Sequence, residues 1–425
     1  MEAAVPAAMP YKVRAWATWG IAVLFVLYLF GFQTGYAVVN PSIQKDIGLT
    51  LTQLGAVAAA YTWSFAIFQL FGGALLDRLG ARRVLLPAIA IFTAGVFFFA
   101  SASSFTAIVA AQLVLALGAC VGFVGAGYVG GQWFGMAKFS FMFGLVQCFA
   151  SLFSAFNQNL MVAAVRALDW RELCAWIGAV GIVVFALAVA FLRDPASAAP
   201  SRVAQRISQL PRELALAILQ IARIPHVWVA AGIGAFTFGA LLAAGVVWAP
   251  KLMLARGLSP GTASFAASML WLGLALGCII VPWWSDAVAR RKLPTASGIA
   301  IQLLALAALV HLPLGSDAVT MALWFVFGFG AAAHMLAFSA AADVVKVELI
   351  GTSAAIVNGT MFLVSGLLIA RPGQLAERFA AQAAAAPQVA ERAALPLELA
   401  LVAALVLALL IRESHPRARG KAAAM

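Results

Sequence analysis

Charge is what this chain has least of. Only 10% of its 425 residues are Asp, Glu, Lys or Arg, while 64% are hydrophobic, against roughly 25% charged in a soluble globular domain. So few ionic groups exclude a water-soluble fold and imply a membrane protein. Cysteine is scarce as well: Cys120, Cys148, Cys174 and Cys278 show no paired spacing for a zinc site or a disulfide framework and read as small apolar fillers. No spaced nucleophile–base set, metal cluster or phosphate-binding loop appears, so an enzyme is not expected and no cofactor is implied. No cleavable signal peptide is expected either. The apolar run after Lys12 and Arg14 is about twice the length of an h-region, and the first span is expected to stay.

What the chain has in abundance is uncharged runs. Residues 16–39, 51–76, 139–165, 173–192, 227–250, 257–285, 318–342 and 349–370 are each long enough to cross ~30 Å of hydrocarbon as a helix. The run 84–137 is long enough for two, with the polar break "SASS" at 101–104 between them. Residues 293–316 give another span, and 393–411, interrupted by Glu398, gives the last. Twelve transmembrane helices are expected.

The net charge of +12 could invite a nucleic-acid reading, but its distribution excludes one. With the N-terminus on the cytoplasmic side, 19 of the 27 basic residues fall on that side and 8 on the other. The positive-inside rule then places both termini in the cytoplasm.

Internal repetition is visible. "GALLDRLGARR" (73–83) follows the second span and "PWWSDAVARRK" (282–292) follows the eighth, aligning Asp77 with Asp286 and Arg82/Arg83 with Arg291/Lys292. "FLRDP" (191–195) and "LIRESHP" (410–416) close the two halves. The expected organisation is a six-helix bundle over 1–192, a basic linker over 193–225, a second bundle over 226–412 and a tail over 413–425.

Six spans plus six, with an acidic–basic, Gly-rich turn after the second, resembles the major facilitator superfamily of transporters. The family's Gly-x-Leu-x-Asp-Arg-x-Gly-x-Arg pattern is matched at Gly73, Leu75, Asp77, Arg78, Gly80 and Arg82. The resemblance implies that Asp77 faces the N-terminus of the eleventh helix, near residues 349–353, where unpaired N–H groups carry about half a positive charge. Arg78 and Arg82 would pair with nearby carboxylates or carbonyls, and the set would act as a latch holding the two halves together. The second copy has Ala287 and Ala289 where the first has Arg78 and Gly80, so Asp286, with Arg291, is expected to latch more weakly. Residues 40–83 look most like the organic-anion, sugar-acid branch. That branch's first-helix Asp-Arg pair falls on Phe32 and Gln33, and another family signature, a fourth-helix arginine ahead of Gly-x-Gly, falls on Gln112.

Substrate sites in such two-half transporters lie near the bilayer midplane, which directs attention to polar residues at helical spacing inside spans. Gln147, Ser151, Ser154 and Gln158 share one face of the fifth span, and Gln33, Tyr36 and Asn40 align on the first. Ser264, Ser268 and Trp271 stand on the eighth, Asn358 and Ser365 on the eleventh, Tyr61 and Gln69 on the second. For each, interhelical hydrogen bonding is the plain alternative to a place in a cavity wall. The substrate-binding candidates are Gln33, Tyr36, Tyr61, Gln147, Ser151, Trp271, His334 and Asn358. His334 and Asp343 titrate in the tenth span. Asp343 is expected to pair with Lys346 at the cytoplasmic end. His334 lies deeper, either a packed neutral histidine or the carrier of a coupling proton.

The expected function is secondary active transport of a small organic solute, such as a monocarboxylate, by alternating access in a bacterial inner membrane. The expected partners are that solute, protons as coupling ion and the bilayer, with a monomer as the working unit. Export of an apolar compound or metal chelate is one alternative, and a transport-dead sensor or assembly subunit of the same fold is another.

Overall fold

The computed structural model describes residues 10–195, 210–255, 257–314, 316–380 and 386–417. Among them are twelve helical spans long and apolar enough to cross a membrane. The first six are built from α1 (Tyr11–Ile47), α2 (Leu51–Leu79), α3 (Ala81–Ser101), α4 with α5 (Phe105–Ala119, Gly122–Phe134), α6 (Phe139–Ala167) and α7 (Trp170–Phe191). A short helix, α8 (Leu210–Ala222), precedes the last six. These are α9 with α10 (Pro225–Ala243, Ala249–Ala255), α11 (Pro260–Ala287), α12 (Lys292–His311), α13 with α14 (Asp317–Ala331, Met335–Ala342), α15 (Ile350–Ala380) and α16 (Ala386–Leu410). Parts of the linker and tail, 196–209 and 418–425, lie outside the described residues.

Helix starts follow local chemistry. Thr50 and Gln53 form a reciprocal capping box at the head of α2, and Ser104, the last residue of the "SASS" break, accepts the Ala107 N–H at 3.2 Å to start α4. The fourth span of each half is broken near its middle: at Cys120–Val121 in the first, and by a tight turn over Ala332–His334 in the second. The second break holds His334.

The two halves meet along two seams, α2 against α15 and α6 against α11. Each seam has a point where backbones touch. At Gly73 a Cβ would collide with the Gly351 carbonyl, and at Gly144 with the Cys278 carbonyl, so close packing there demands glycine.

Candidate substrate cavity and gate

The seams enclose a narrow cavity of about 10 Å³, room for about one water. Its walls come from both halves: Leu29, Phe30 and Gln33 of α1, Phe65 of α2, Phe123 of α5 and Gln147 of α6 on one side. On the other stand Phe238 of α9, His334, Phe338 of α14, and Asn358, Met361 and Phe362 of α15. Phe65 and Phe362 meet across the halves at 4.5 Å, and Phe338 meets Phe143 at 4.6 Å and Phe123 at 5.9 Å. Aromatic rings therefore close the cavity, with a few polar atoms set between them.

Those atoms are specifically held. The His334 Nδ1 lies 2.7 Å from the Ala331 carbonyl; a carbonyl only accepts, so Nδ1 carries a proton and Nε2 is the ring's remaining polar atom. The imidazole lies 5.0 Å from the Phe238 ring. Asn358 donates to Gln69 Oε1 at 2.9 Å, a buried bond between the halves that leaves the Gln69 amide nitrogen without a partner. Gln147 donates to Ser151 at 3.1 Å.

Of the eight substrate-binding candidates, the structure brings Gln33, Gln147, His334 and Asn358 to the cavity, with Ser151 behind Gln147. Three stand elsewhere. Tyr36 packs edge-on against Phe99 of α3 at 5.9 Å, inside its own half. Three residues fall about 60° short of a full helical turn, enough to swing Tyr36 from the face of Gln33. Tyr61 stacks on Phe65 at 5.9 Å, behind the wall, and Trp271 lies against Gly245. The side chains of Gln158 and Ser264 lie outside the described residues. Sequence spacing missed the phenylalanines, because in a chain with 30 of them a cavity wall and a lipid-facing surface have the same composition.

At one end of the bundle the Asp77 carboxylate accepts three hydrogen bonds from the start of α15: from the Gly351 N–H at 2.8 Å, and from the Thr352 N–H and hydroxyl at 2.7 Å each. Gln69 and Asp77 lie eight residues apart on α2, about 12 Å, so one seam runs from cavity wall to bundle end. A further hydrogen bond between halves, Ser339 to Ser140 at 2.9 Å, joins α14 to α6. Arg78 reaches Glu213 of α8 at 3.8 Å. Arg82 donates to the carbonyls of Leu192 and Val189, while Asp194 accepts the Ala81 and Arg82 N–H groups at 2.9 and 3.2 Å. The closing motif of the half thus caps α3.

The second copy keeps the cap and redirects the aspartate. Glu413 accepts the Arg291 and Lys292 N–H groups at 2.7 and 3.2 Å, as Asp194 does in the first half. Asp286 turns inward to the Arg291 guanidinium at 2.6 Å, and Asp343 meets the same guanidinium at 3.0 Å. The expected Asp343–Lys346 pair is therefore replaced: Arg291 is buried against Asp343, and Lys346 is exposed. Burial opposes charge on Arg291, yet its two carboxylates outweigh that and raise its pKa. Burial raises the Asp343 carboxyl despite Arg291. Burial also raises Glu413, but four backbone N–H bonds overcome it and set the group below its usual value. Among the described residues no group of three or more His, Cys, Asp or Glu side chains is placed to hold a metal ion.

A family model described as Major Facilitator Superfamily matches residues 21–370. The probable sulfoacetate transporter SauU of Cupriavidus necator is 27% identical over 192 residues, 45% of each chain. The probable galactarate/D-glucarate transporter GudP of Escherichia coli is 25% identical over 322 residues, 67% of this chain and 71% of that one. The quinolone resistance protein NorA of Staphylococcus aureus is 27% identical over 224 residues, 50% of this chain and 56% of that one. The chain therefore spans less than half the length of the first relative. Among solved structures, the fucose:proton symporter FucP of Escherichia coli has a TM-score of 0.67 at 16% identity, covering 95% of this chain and all of that one, a likeness of fold.

Proposed function

The chain belongs to the Major Facilitator Superfamily, and from that membership we propose that it moves a small organic acid bearing at most one negative charge, by alternating access between its two halves. The observation that carries this reading is the cavity, built by both halves and closed by the Asp77 contact at one end. Rocking 1–192 against 226–412 about the linker would break that contact and expose the cavity to the opposite side. The basic residues support assigning the Asp77 end to the cytoplasm, with both termini there, and twelve spans support an inner-membrane location in a bacterium. One chain supplies the whole cavity, so a monomer suffices.

The organic-acid names among the relatives support an acid. The walls bear on its charge. Among the described residues no lysine or arginine lines the cavity, and dicarboxylates or tricarboxylates usually demand a guanidinium clamp. Phenylalanine walls hold an apolar body, while Gln33, Gln147, Asn358 and His334 bond a single polar head. His334, among the described residues the one titratable group in the wall, carries the coupling proton on this reading.

The test is uptake into proteoliposomes of a monocarboxylate chosen by a thermal-shift panel, since a ligand that prefers the folded state raises apparent stability. Accumulation driven by a pH gradient, lost in His334→Gln while exchange down the solute gradient persists, is the expected result. Micromolar binding of citrate, or undiminished gradient-driven uptake by the variant, overturns the charge or coupling assignment respectively. The phenylalanine walls and the likeness to a quinolone resistance protein also favour a second reading, export of an apolar compound. It predicts drug-induced stabilisation with no response to monocarboxylates.

A further inference from the structure

The linker helix α8 has two apolar faces. One faces the protein: Leu214, Ala217 and Ile221 are buried, and α8 packs on α2 of the first half and on α9 and α15 of the second. The other face is open. Arg212, Leu216 and Leu219 are all exposed, spaced four and three residues apart, which is one stripe of a helix, and Arg223 is exposed in the turn just past its end. Leu216 and Leu219 are about half exposed, at 53% and 47%, with an arginine beyond each. Trp228, also exposed, donates its indole N–H to the Ala222 carbonyl at 2.7 Å and fixes the end of α8 to the first turn of α9. A leucine stripe with basic ends, anchored by an exposed tryptophan at the start of a membrane span, has the pattern of a helix lying in the headgroup layer.

The same helix touches the gate. Glu213, on its first turn, reaches Arg78 at 3.8 Å, and Arg78 is the residue after Asp77. Because α8 lies on α2 and α15 together, it bridges the two helices that the Asp77 hydrogen bonds join. A helix bridging both sides of a closed contact is displaced when that contact opens.

We propose that α8 is an interfacial strap that binds anionic phospholipid through Arg212 and Arg223, with Leu216 and Leu219 in the acyl boundary, and thereby favours the closed Asp77 gate. Charge complementarity selects the lipid: each arginine near an anionic leaflet is attracted, and the attraction falls within a Debye length. The gating half of the proposal rests on reading the Asp77 contact as a closed gate; the lipid contact does not.

The full chain is reconstituted in phosphatidylcholine vesicles with or without phosphatidylglycerol, and two signals that need no transport are read. Bimane on Leu216→Cys should be quenched by brominated lipid, and more strongly when phosphatidylglycerol is present. Maleimide labelling of Ser140→Cys, buried where α6 meets α14 of the other half, should slow severalfold with phosphatidylglycerol. Arg212→Gln with Arg223→Gln should abolish both lipid effects, and the matching lysine pair should keep them. Inorganic phosphate should leave labelling unchanged; if it reproduces the slowing, the site binds free anions and the strap is wrong. Bimane that stays unquenched, or slowing that persists in the glutamine pair, overturns the lipid contact. Quenching with labelling indifferent to lipid overturns the strap's hold on the gate. Loss of solute uptake with both signals intact would fault the transport reading instead.

Discussion

Asp77 and Asp286 stand at matching places in the two six-span halves, and each is followed by a basic pair, Arg82–Arg83 or Arg291–Lys292. In both, a carboxylate from the end of the half, Asp194 or Glu413, caps the helix that the pair begins. The aspartates differ. Asp77 spends its oxygens on the N-terminus of α15 in the other half, and Asp286 spends one on a guanidinium of its own. The side chains around them explain the divergence. Arg82 lies against helix-end carbonyls, which leaves Asp77 free to face outward. Arg291 is buried beside Asp343 and draws Asp286 in. A repeated motif therefore conserves the local cap and leaves the contact between halves to one copy.

Charge deletion should separate the copies most. Arg291→Ala strips Asp343 of its buried partner and should cost about 3–5 kcal/mol, the usual loss when one member of a buried pair is removed. Arg82→Ala leaves carbonyls at a helix end and should cost about 1 kcal/mol. Both are read from thermal or chemical unfolding in detergent, and equal losses would break the comparison.

The turns give a smaller effect of opposite signs. Gly80 has φ 82° and ψ 166°, a region essentially confined to glycine, and Ala289 has φ 53°; such backbone costs a residue with a Cβ about 1–3 kcal/mol. Gly80→Ala should destabilise by that amount or more, since its Cβ would also lie 3.1 Å from the Asp194 carboxylate. Ala289→Gly should stabilise by about 0.5 kcal/mol, relief of strain being partly offset by greater freedom of the unfolded chain. Two changes of the same sign in unfolding measurements would refute the assignment of strain to the second copy.

Acid should act last and on the second copy. Burial, then the Arg291 charge, holds His415 below its ordinary value of 6.5. As pH falls below that value the unfolded chain takes up the proton first, so stability is lost until the folded-state pKa is passed. The amides of 291–292 should exchange faster at pH 5.5 than at pH 7.5 after correction for intrinsic rates, and those of 81–82 should change less. His415→Gln should remove the difference between the two caps.

Much of this was legible in the sequence because hydropathy reads spans directly, and because Asp77 makes no sense in a basic loop without a partner. The position of Asp77 against the start of α15 followed from the family pattern alone. The cavity was legible only in part. Gln33 and Gln147 stand out as polar atoms in apolar helices, whereas Phe65, Phe338 and Phe362 resemble every other phenylalanine in the chain. Tyr36 misled because one helix offers its stripe to neighbours within its half as well as to the cavity. The partner of Asp343 was hidden by distance: Lys346 is three residues away, but Arg291, 52 residues back, comes to it with a second carboxylate already bound.

On the proposed reading the Asp77 contact, and not its counterpart, keeps this end of the two halves together. Spin labels on Lys138→Cys and Lys346→Cys, both exposed and in opposite halves, report that separation by pulsed electron resonance. Asp77→Asn should lengthen or broaden the distance distribution by several ångströms, about the rise of one to a few helical turns, while Asp286→Asn should leave it unchanged. A distribution unmoved by Asp77→Asn, or moved equally by both, would contradict the account.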